Sequence, residues 1–370
     1  MKNTKHIIKT KSKTYPIYFG ENAIKITGSL VKKNLPSIKK ICIIADNNLP
    51  KKLLKTLTDS LKNYKVIVYK VSATEKVKSL EVAKKIIEYL LNNNFNRSDC
   101  IIAFGGGVIG DLSSFVASLT KRGLKFINIP TTLLAQVDAS IGGKTGINSN
   151  HGKNLIGTFY QPDFIVSDML TLKSLPQREM ISGYGEVLKH SLILDKKFFL
   201  WLLKNGENII YKRNKISLKL AIIKSCKIKC TIVHKDEKEE NLRMILNFGH
   251  TFAHGFEGAM NFSKKLNHGE AVLLGMMMAC ELSNINKNLK TKELFLIKKH
   301  YLDLNLPMKI SNFFKKNQIK KIIYFMKKDK KNINEKINLI LLKKIGNVSK
   351  PGEIALSSKK IEKFLYSRYI

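Results

Sequence analysis

Lys40-Ile-Cys-Ile-Ile-Ala45, Lys65-Val-Ile-Val-Tyr69 and Cys100-Ile-Ile-Ala-Phe104 are short, almost wholly apolar runs rich in β-branched residues. A strand with one face in water alternates apolar and polar residues; these do not, so they read as buried strands. Between them, Lys51 to Leu61 and about Leu80 to Asn92 carry helical period. Strand, helix, strand, helix, strand predicts a parallel α/β sheet with ligands at the carboxyl ends of its strands. Phe126-Ile-Asn-Ile129 and Phe164-Ile-Val-Ser167 extend the sheet, and residues 1 to 20 read as strands, with Tyr15-Pro-Ile-Tyr-Phe ending at Gly20.

After about Leu175 the period changes. Met180 to Leu194, Phe198 to Asn205, Lys215 to Val233, Leu242 to Met260, Gly269 to Asn286 and Thr291 to Leu302 all read as helices. The tail from Pro307 is Lys-rich and mostly helical, with one short strand at Asn338 to Leu342. A chain of 370 residues fits two domains. The boundary is expected near Leu175-Pro176, giving an α/β domain over 1–175 and an all-α domain over 176–370.

The formal net charge of +38 raises nucleic acid as a partner. The cations are mostly Lys and are spread over the whole chain, as AT-rich coding produces. No aromatic RNA-binding motif, zinc-finger spacing or basic heptad accompanies them, so no specific nucleic-acid partner is expected. Against that background the six arginines mark places where a planar fork matters more than charge. The five cysteines are scattered, as suits a reduced cytoplasmic protein. No apolar run follows Met1 to Lys13, and Ala271 to Cys280 is too short to span a bilayer, so neither a secretory signal nor a membrane partner is expected.

Chemistry concentrates in a few motifs. Phe104-Gly-Gly-Gly-Val-Ile-Gly-Asp111 joins a buried strand to a helix; glycines let the backbone approach a pyrophosphate, and the helix amino end offers free N–H groups. Asp46 and Asn48 follow one strand and Glu75 and Lys78 the next, where carboxylates can hold ribose or amide groups. Gly142-Gly-Lys-Thr-Gly146 and Gly152-Lys-Asn-Leu-Ile-Gly157 put Lys144 and Lys153 in glycine-rich loops, a phosphate-binding chemistry. A nucleotide-hydrolysing P-loop is rejected, because position 138, where its first Gly is required, is Asp. In Ser182-Gly-Tyr-Gly-Glu-Val-Leu-Lys189, Glu186 and Lys189 share a helix face. Arg243, Asn247, His250 and His254 fall at i, i+4, i+7 and i+11, a narrow polar stripe if the segment is one helix, although Gly249 weakens its centre. Glu186, His250 and His268 offer one oxygen and two nitrogens, a zinc-like set with a position left for substrate. His254 and His190 are further candidate ligands, and spacing does not choose among them.

These motifs, in this order, resemble the 3-dehydroquinate synthase family of the shikimate pathway over essentially the whole chain. The matching pieces are Gly105 to Asp111, Pro130-Thr-Thr-Leu-Leu-Ala-Gln-Val-Asp138, Gly142-Gly-Lys-Thr, Gly152 to Pro162, Glu186-Val-Leu-Lys189, Leu246-Asn-Phe-Gly-His-Thr251, His268-Gly-Glu-Ala-Val272 and Asp329-Lys-Lys331. The resemblance implies an NAD-binding α/β domain, a helical metal- and substrate-binding domain with the metal in the cleft between them, and a homodimer. It implies a small-molecule sugar phosphate as substrate, 3-deoxy-D-arabino-heptulosonate 7-phosphate, converted to 3-dehydroquinate and phosphate. One divalent metal, zinc or cobalt, would be held by Glu186, His250 and His268. NAD would be held by Asp46, Glu75, Lys78, Gly107, Val108, Ile109, Gly110, Asp111, Thr131, Thr132, Asp138, Lys144, Lys153, Thr171, Leu172, Lys173 and Ser174. Substrate would meet Lys144, Lys153, Asn154, Lys189, Lys229, Arg243, Asn247, His254 and Lys330, with Arg122 reaching the partner subunit's site.

Three positions depart from the family pattern. Thr74 stands where Gly is usual, which bears on the NAD loop backbone. Gly185 stands where Ala is usual, and Ala253-His-Gly-Phe-Glu257 replaces the common Gly-His-Ala-Ile-Glu; both bear on packing. The rivals are a sister sugar-phosphate cyclase and a metal-dependent polyol dehydrogenase of the same fold. Arg243 with Lys229, suited to a substrate carboxylate, weighs against the first, and the number of phosphate-binding lysines against the second.

Overall fold

The computed structural model describes residues 4–328 and 336–369. They fall into two compact units, one of residues 1–176 with 218–238 and one of residues 177–217 with 239–370. The expected boundary at 175/176 lies one residue from the first division. The return of 218–238 to the first unit is a difference, because helical period reports which face is buried and not what covers it.

In the first unit β1 (Thr4–Lys9) and β2 (Thr14–Gly20) form a hairpin. After α1 (Thr27–Asn34) come β3 (Lys40–Asp46), α2 (Lys51–Ser60), β4 (Lys65–Val71), α3 (Leu80–Asn92), β5 (Cys100–Gly105), α4 (Gly107–Leu119) and β6 (Lys125–Pro130). A small hairpin, β7 (Ile147–Ser149) with β8 (Gly152–Ile156), precedes β9 (Phe164–Asp168). The main sheet runs β1-β2-β9-β6-β5-β3-β4, antiparallel only at β1/β2. Alternate residues of its central strands feed two cores. Ile41, Ile43, Ile102 and Phe104 pack on one face, and Cys42, Ile44, Ile101 and Ala103 on the other. That is the physical reason these strands carry no polar alternation. β3 leads to β4 on one side, while β5 lies on its other side, so the carboxyl ends of β3 and β5 flank a switch in strand order, the preferred place for a ligand.

The second unit is built from α5 (Gln177–Leu194), α6 (Lys196–Ile210), the first residues of α7 (Lys215–Lys235), α8 (His250–Ala259), α9 (His268–Ile285), α10 (Thr291–Asp303), α11 (Ile319–Lys327) and α12 (Ser358–Ser367). It is largely but not wholly helical: β10 (Lys336–Leu339) pairs with β13 (Ile354–Ser357), and β11 (Leu342–Lys344) with β12 (Asn347–Val348). The single tail strand expected at 338–342 is therefore two strands broken at residues 340–341, and the all-α expectation is corrected. α9 packs on both α5 and α8, and α11 covers α8. No helix among the described residues is long and apolar enough to cross a membrane.

Among α5, α6 and α10 the Tyr184 hydroxyl meets His300 Nε2 at 2.7 Å in a buried setting. Burial pushes the His300 imidazole down to about 4, with Asp303 opposing. A neutral buried base resists a proton that the unfolded chain accepts near its ordinary 6.5, so its contribution is complete above that pH and lost as pH falls towards the folded value. Stability is expected to drop by about 2 kcal/mol between about pH 7 and pH 5 from this group alone. Denaturant midpoints for the native chain and for His300→Gln at the two pH values check it. A slope equal in both chains would refute the assignment.

Candidate functional site

α5 is buried nearly all round, and its polar residues Glu186, Lys189 and His190 are buried with it. A carboxylate and an ammonium at that depth require each other, and Lys189 Nζ pairs with Glu186 Oε2. The other carboxylate oxygen, Oε1, lies 3.8 Å from His250 Nε2. His250 opens α8 and His268 opens α9, with their rings 5.5 Å apart. One ligand atom from each of Glu186, His250 and His268 lies within 4.8 Å of the other two.

The ring nitrogens suit this grouping. His250 Nδ1 faces the Phe248 carbonyl at 3.3 Å, and His268 Nδ1 faces Glu257 Oε2 at 3.2 Å. A ring whose Nδ1–H donates keeps its Nε2 lone pair for a metal, the tautomer following from these partners. One carboxylate and two imidazoles form a donor set that fits zinc or cobalt.

Backbone contact brings the three helices together. Gly269 of α9 lies directly on Ser182 of α5, so that an added Cβ would collide with Ser182 backbone. Gly275 lies in the same way on the Gly249 carbonyl. Gly185 also faces α9, where a Cβ would stand 3.1 Å from Leu273 Cγ and 3.3 Å from the Gly269 carbonyl, so glycine in place of alanine permits closer packing. Arg178, one of the six arginines, uses its fork: Nε and Nη2 donate to Glu270 at 2.6 and 2.5 Å, and Nη1 and Nη2 to the Lys264 and Lys265 carbonyls at 2.7 and 2.9 Å. Glu270 also completes the capping box with Asn267 that starts α9.

The single helix expected over 242–260 is not formed. Leu242–Asn247 is a 3-10 turn, Gly249 takes φ +79°, and α8 begins at His250. The i, i+4, i+7, i+11 stripe therefore does not lie on one helix. Arg243 and Asn247 sit before the break and His254 one turn after it, its ring 5.8 Å from His250. Arg243 is buried, and Asn247 Nδ2 donates to Glu239 Oε1 at 2.9 Å. Glu239 is a carboxylate the sequence reading passed over; its spacing of four residues before Arg243 and eight before Asn247 was the available signal.

In the first unit, residues expected to touch NAD follow the carboxyl ends of neighbouring strands: Asp46 at β3, Glu75 and Lys78 after β4, Gly107, Val108, Ile109, Gly110 and Asp111 after β5, and Thr131 and Thr132 after β6. After β9, Thr171 and Leu172 are buried while Lys173 and Ser174 are exposed. Gly106 caps α4, and the bare backbone of residues 105–107 at its amino end fits a pyrophosphate. Thr74 has φ −123° and ψ 155°, extended backbone that any residue adopts, so the family's usual glycine is not needed there.

Lys78 is buried and pairs with Asp111 Oδ2 at 2.6 Å and with Asn154 Oδ1. Burial raises the Asp111 carboxyl, and Lys78 opposes that shift. Lys229 Nζ meets Asp138 Oδ1 at 2.7 Å and the Asp138 carbonyl at 2.6 Å, so Asp138 balances Lys229. Lys144 is exposed, and no helix follows its loop, which leads into β7; the rejection of a P-loop stands. Arg122 is exposed on a turn in which Lys121, Arg122 and Gly123 all have positive φ. Lys330 lies outside the described residues. The Cys226 thiol donates to the Gln136 carbonyl at 3.2 Å, and burial pushes the Cys230 thiol up to about 12.

Solved structures share this architecture. A 2-deoxy-scyllo-inosose synthase complexed with carbaglucose-6-phosphate, NAD+ and Co2+ matches with a TM-score of 0.86 at 22% identity, over 99% of this chain and 100% of its own. The 2-epi-5-epi-valiolone synthase of Streptomyces hygroscopicus, with NAD+ and Zn2+ bound, matches at 0.84 and 22%, over 98% of each chain. The fold class is thus that of these synthases, a parallel-sheet α/β unit followed by a largely helical one. The family models for the 3-dehydroquinate synthase N-terminal and C-terminal regions match residues 68–182 and 183–332. The 3-dehydroquinate synthase of Pelagibacter ubique is 50% identical over 97% of this chain and 96% of its own length, and that of Alkaliphilus metalliredigens 39% identical over 96% of each. The chain belongs to the 3-dehydroquinate synthase family.

Proposed function

We propose that this chain, as a cytoplasmic homodimer, converts 3-deoxy-D-arabino-heptulosonate 7-phosphate into 3-dehydroquinate and phosphate. The observation that carries the reading is the Glu186–His250–His268 group, with Lys189 buried beside it, in a chain of this family. When bound, NAD would take and return the C5 hydride while zinc or cobalt at that group polarised the C5 oxygen.

The chain's own residues supply the rest. On the second unit, the buried Lys189 side chain is held against Glu186 and is assigned to a substrate anion. Arg243, buried before the break, offers a fork to a carboxylate, with Asn247 and His254 assigned to hydrogen bonds around the substrate. On the first unit, Lys144, Lys153, Asn154 and Lys229 are assigned to phosphate and substrate oxygens; Lys330, in the 239–370 stretch of the chain, joins them by family position. The Asp138 contact fixes the Lys229 side chain for that role. The amino end of α4, residues 107–111, with Asp46, Glu75, Lys78, Thr131, Thr132 and the segment 171–174, is assigned to NAD. Holding both ends of the opened sugar favours the intramolecular aldol closure over escape.

The test is phosphate release from the heptulosonate phosphate with NAD well below the substrate concentration. Many turnovers per NAD and no accumulating NADH are expected. Stoichiometric NADH would favour a dehydrogenase, and no release from this substrate would favour a sister cyclase. For the dimer, Arg122 is proposed to serve the partner's site. Mixing inactive Arg122→Ala with inactive Lys189→Ala protein is then expected to restore part of the activity through heterodimers. No recovery, with subunit exchange confirmed, would rule that role out.

A further inference from the structure

We infer that Asn148, to which the sequence assigns no role, is a positioning residue that locks the NAD side of the first unit to its substrate side. The inference rests on the proposed reading, in which Glu75 and Lys78 serve NAD and Asn154 serves the substrate. Asn148 lies on β7 of the small hairpin and reaches all three. Its backbone N–H donates to the Lys78 carbonyl at 2.7 Å. Its Nδ2 donates to the Glu75 carbonyl at 3.0 Å and to Glu75 Oε2 at 2.9 Å. Its Oδ1 accepts from the Asn154 backbone N–H at 3.0 Å. Asn154, at φ +55°, in turn accepts from Lys78 Nζ through its Oδ1. With the Lys78 N–H donating to the Glu75 carbonyl at 3.3 Å, the four residues form a closed ring.

A carboxamide is the side chain that closes it. Two fixed donors face Glu75, and an acceptor on the same plane faces Asn154. An aspartate at this position would be isosteric, but it would set a second carboxylate against that of Glu75; an apolar residue would leave both sides unheld. The hairpin is otherwise short and its register shifts between Ile147 and Ser149, so its own ladder fixes the Asn154 backbone only weakly. Coupling through Asn148 makes the 75–78 segment and Asn154 adopt their poses together.

The two halves of the amide can be tested separately. Asn148→Asp keeps the acceptor for Asn154 and removes both donors to Glu75; Asn148→Ala removes both halves. Calorimetry of NAD binding to the metal-loaded full chain gives the NAD Kd, and steady-state phosphate release at saturating NAD gives the KM for the heptulosonate phosphate. Both variants are expected to raise the NAD Kd on the order of tenfold, the aspartate at least as much as the alanine. The KM is expected to rise on the order of fivefold or more in the alanine variant and to stay within about twofold in the aspartate variant. A merely structural hairpin staple would move both constants in the same proportion in both variants, and that result would overturn the inference, as would an NAD Kd unchanged in both. If the alanine chain does not fold, Asn148→Gln replaces it; the misplaced amide should raise both constants, and unchanged values would overturn the inference. Wild-type chain that binds no NAD would overturn the functional reading itself, an outcome distinct from any of these.

Discussion

Glu186→Gln is expected to strip the second unit of its metal and to stop turnover. The carboxylate is almost fully buried between the Lys189 ammonium on one oxygen and the His250 ring on the other. The amide has the same shape but no charge. A metal ion would lose its one anionic ligand, and the Lys189 ammonium would be left buried without a counter-charge, a change that costs about 3–5 kcal/mol where a buried pair is broken. Both consequences act against the reaction. Elemental analysis after dialysis should find about one zinc or cobalt per wild-type chain and close to none in the variant, and phosphate release should fall at least about 10³-fold. Circular dichroism separates this from unfolding. A variant with full metal content and near-normal rate would remove Glu186 from the site.

The sheet was legible because its strands are covered on both faces. Ile41 through Ala45 and Cys100 through Phe104 have no polar alternation to confuse with a surface strand, and glycine clusters mark where β5 ends. The β7–β8 hairpin was not legible. Its segments are three and five residues long and largely polar, anchored by Ile147 and Ile156 on the core and tied by Asn148, Lys78 and Asn154, and are too short for a periodicity to report them. The metal group was half legible. Spacing proposed Glu186, His250 and His268 but equally allowed His254 and His190, because a period describes one helix and the ligand atoms come from three. That Glu186, His250 and His268 come together depends on how closely α5, α8 and α9 approach, and that is set by Ser182, Gly249, Gly269 and Gly275, which look unremarkable one at a time in the sequence.

Gly249→Ala should therefore damage stability and metal binding together. The residue holds φ +79°, a conformation that costs an L side chain roughly 1–2 kcal/mol. Its added Cβ would stand 2.6 Å from Met276 Cγ and 2.8 Å from the Met276 backbone nitrogen. The side-chain atom can swing aside, but the backbone belongs to α9 and cannot move without carrying that helix away from α8. Overpacking of this kind adds about 1–3 kcal/mol, for a total of about 2–5 kcal/mol. For a unit of this size that lowers the melting temperature on the order of 10 °C. Relief by separating α8 from α9 would draw His250 away from His268, so metal affinity should fall together with stability. Gly352→Ala is the control: its φ of +77° imposes similar strain, but nothing lies within 4 Å of the added Cβ. It should cost only the backbone term and leave metal binding unchanged. Equal losses in the two variants would mean that backbone strain alone, and not the α8–α9 contact, makes glycine necessary at 249. A Gly249→Ala chain that melts with the wild type and binds metal as tightly would show that α8 and the 3-10 turn can join as the single helix the periodicity predicts.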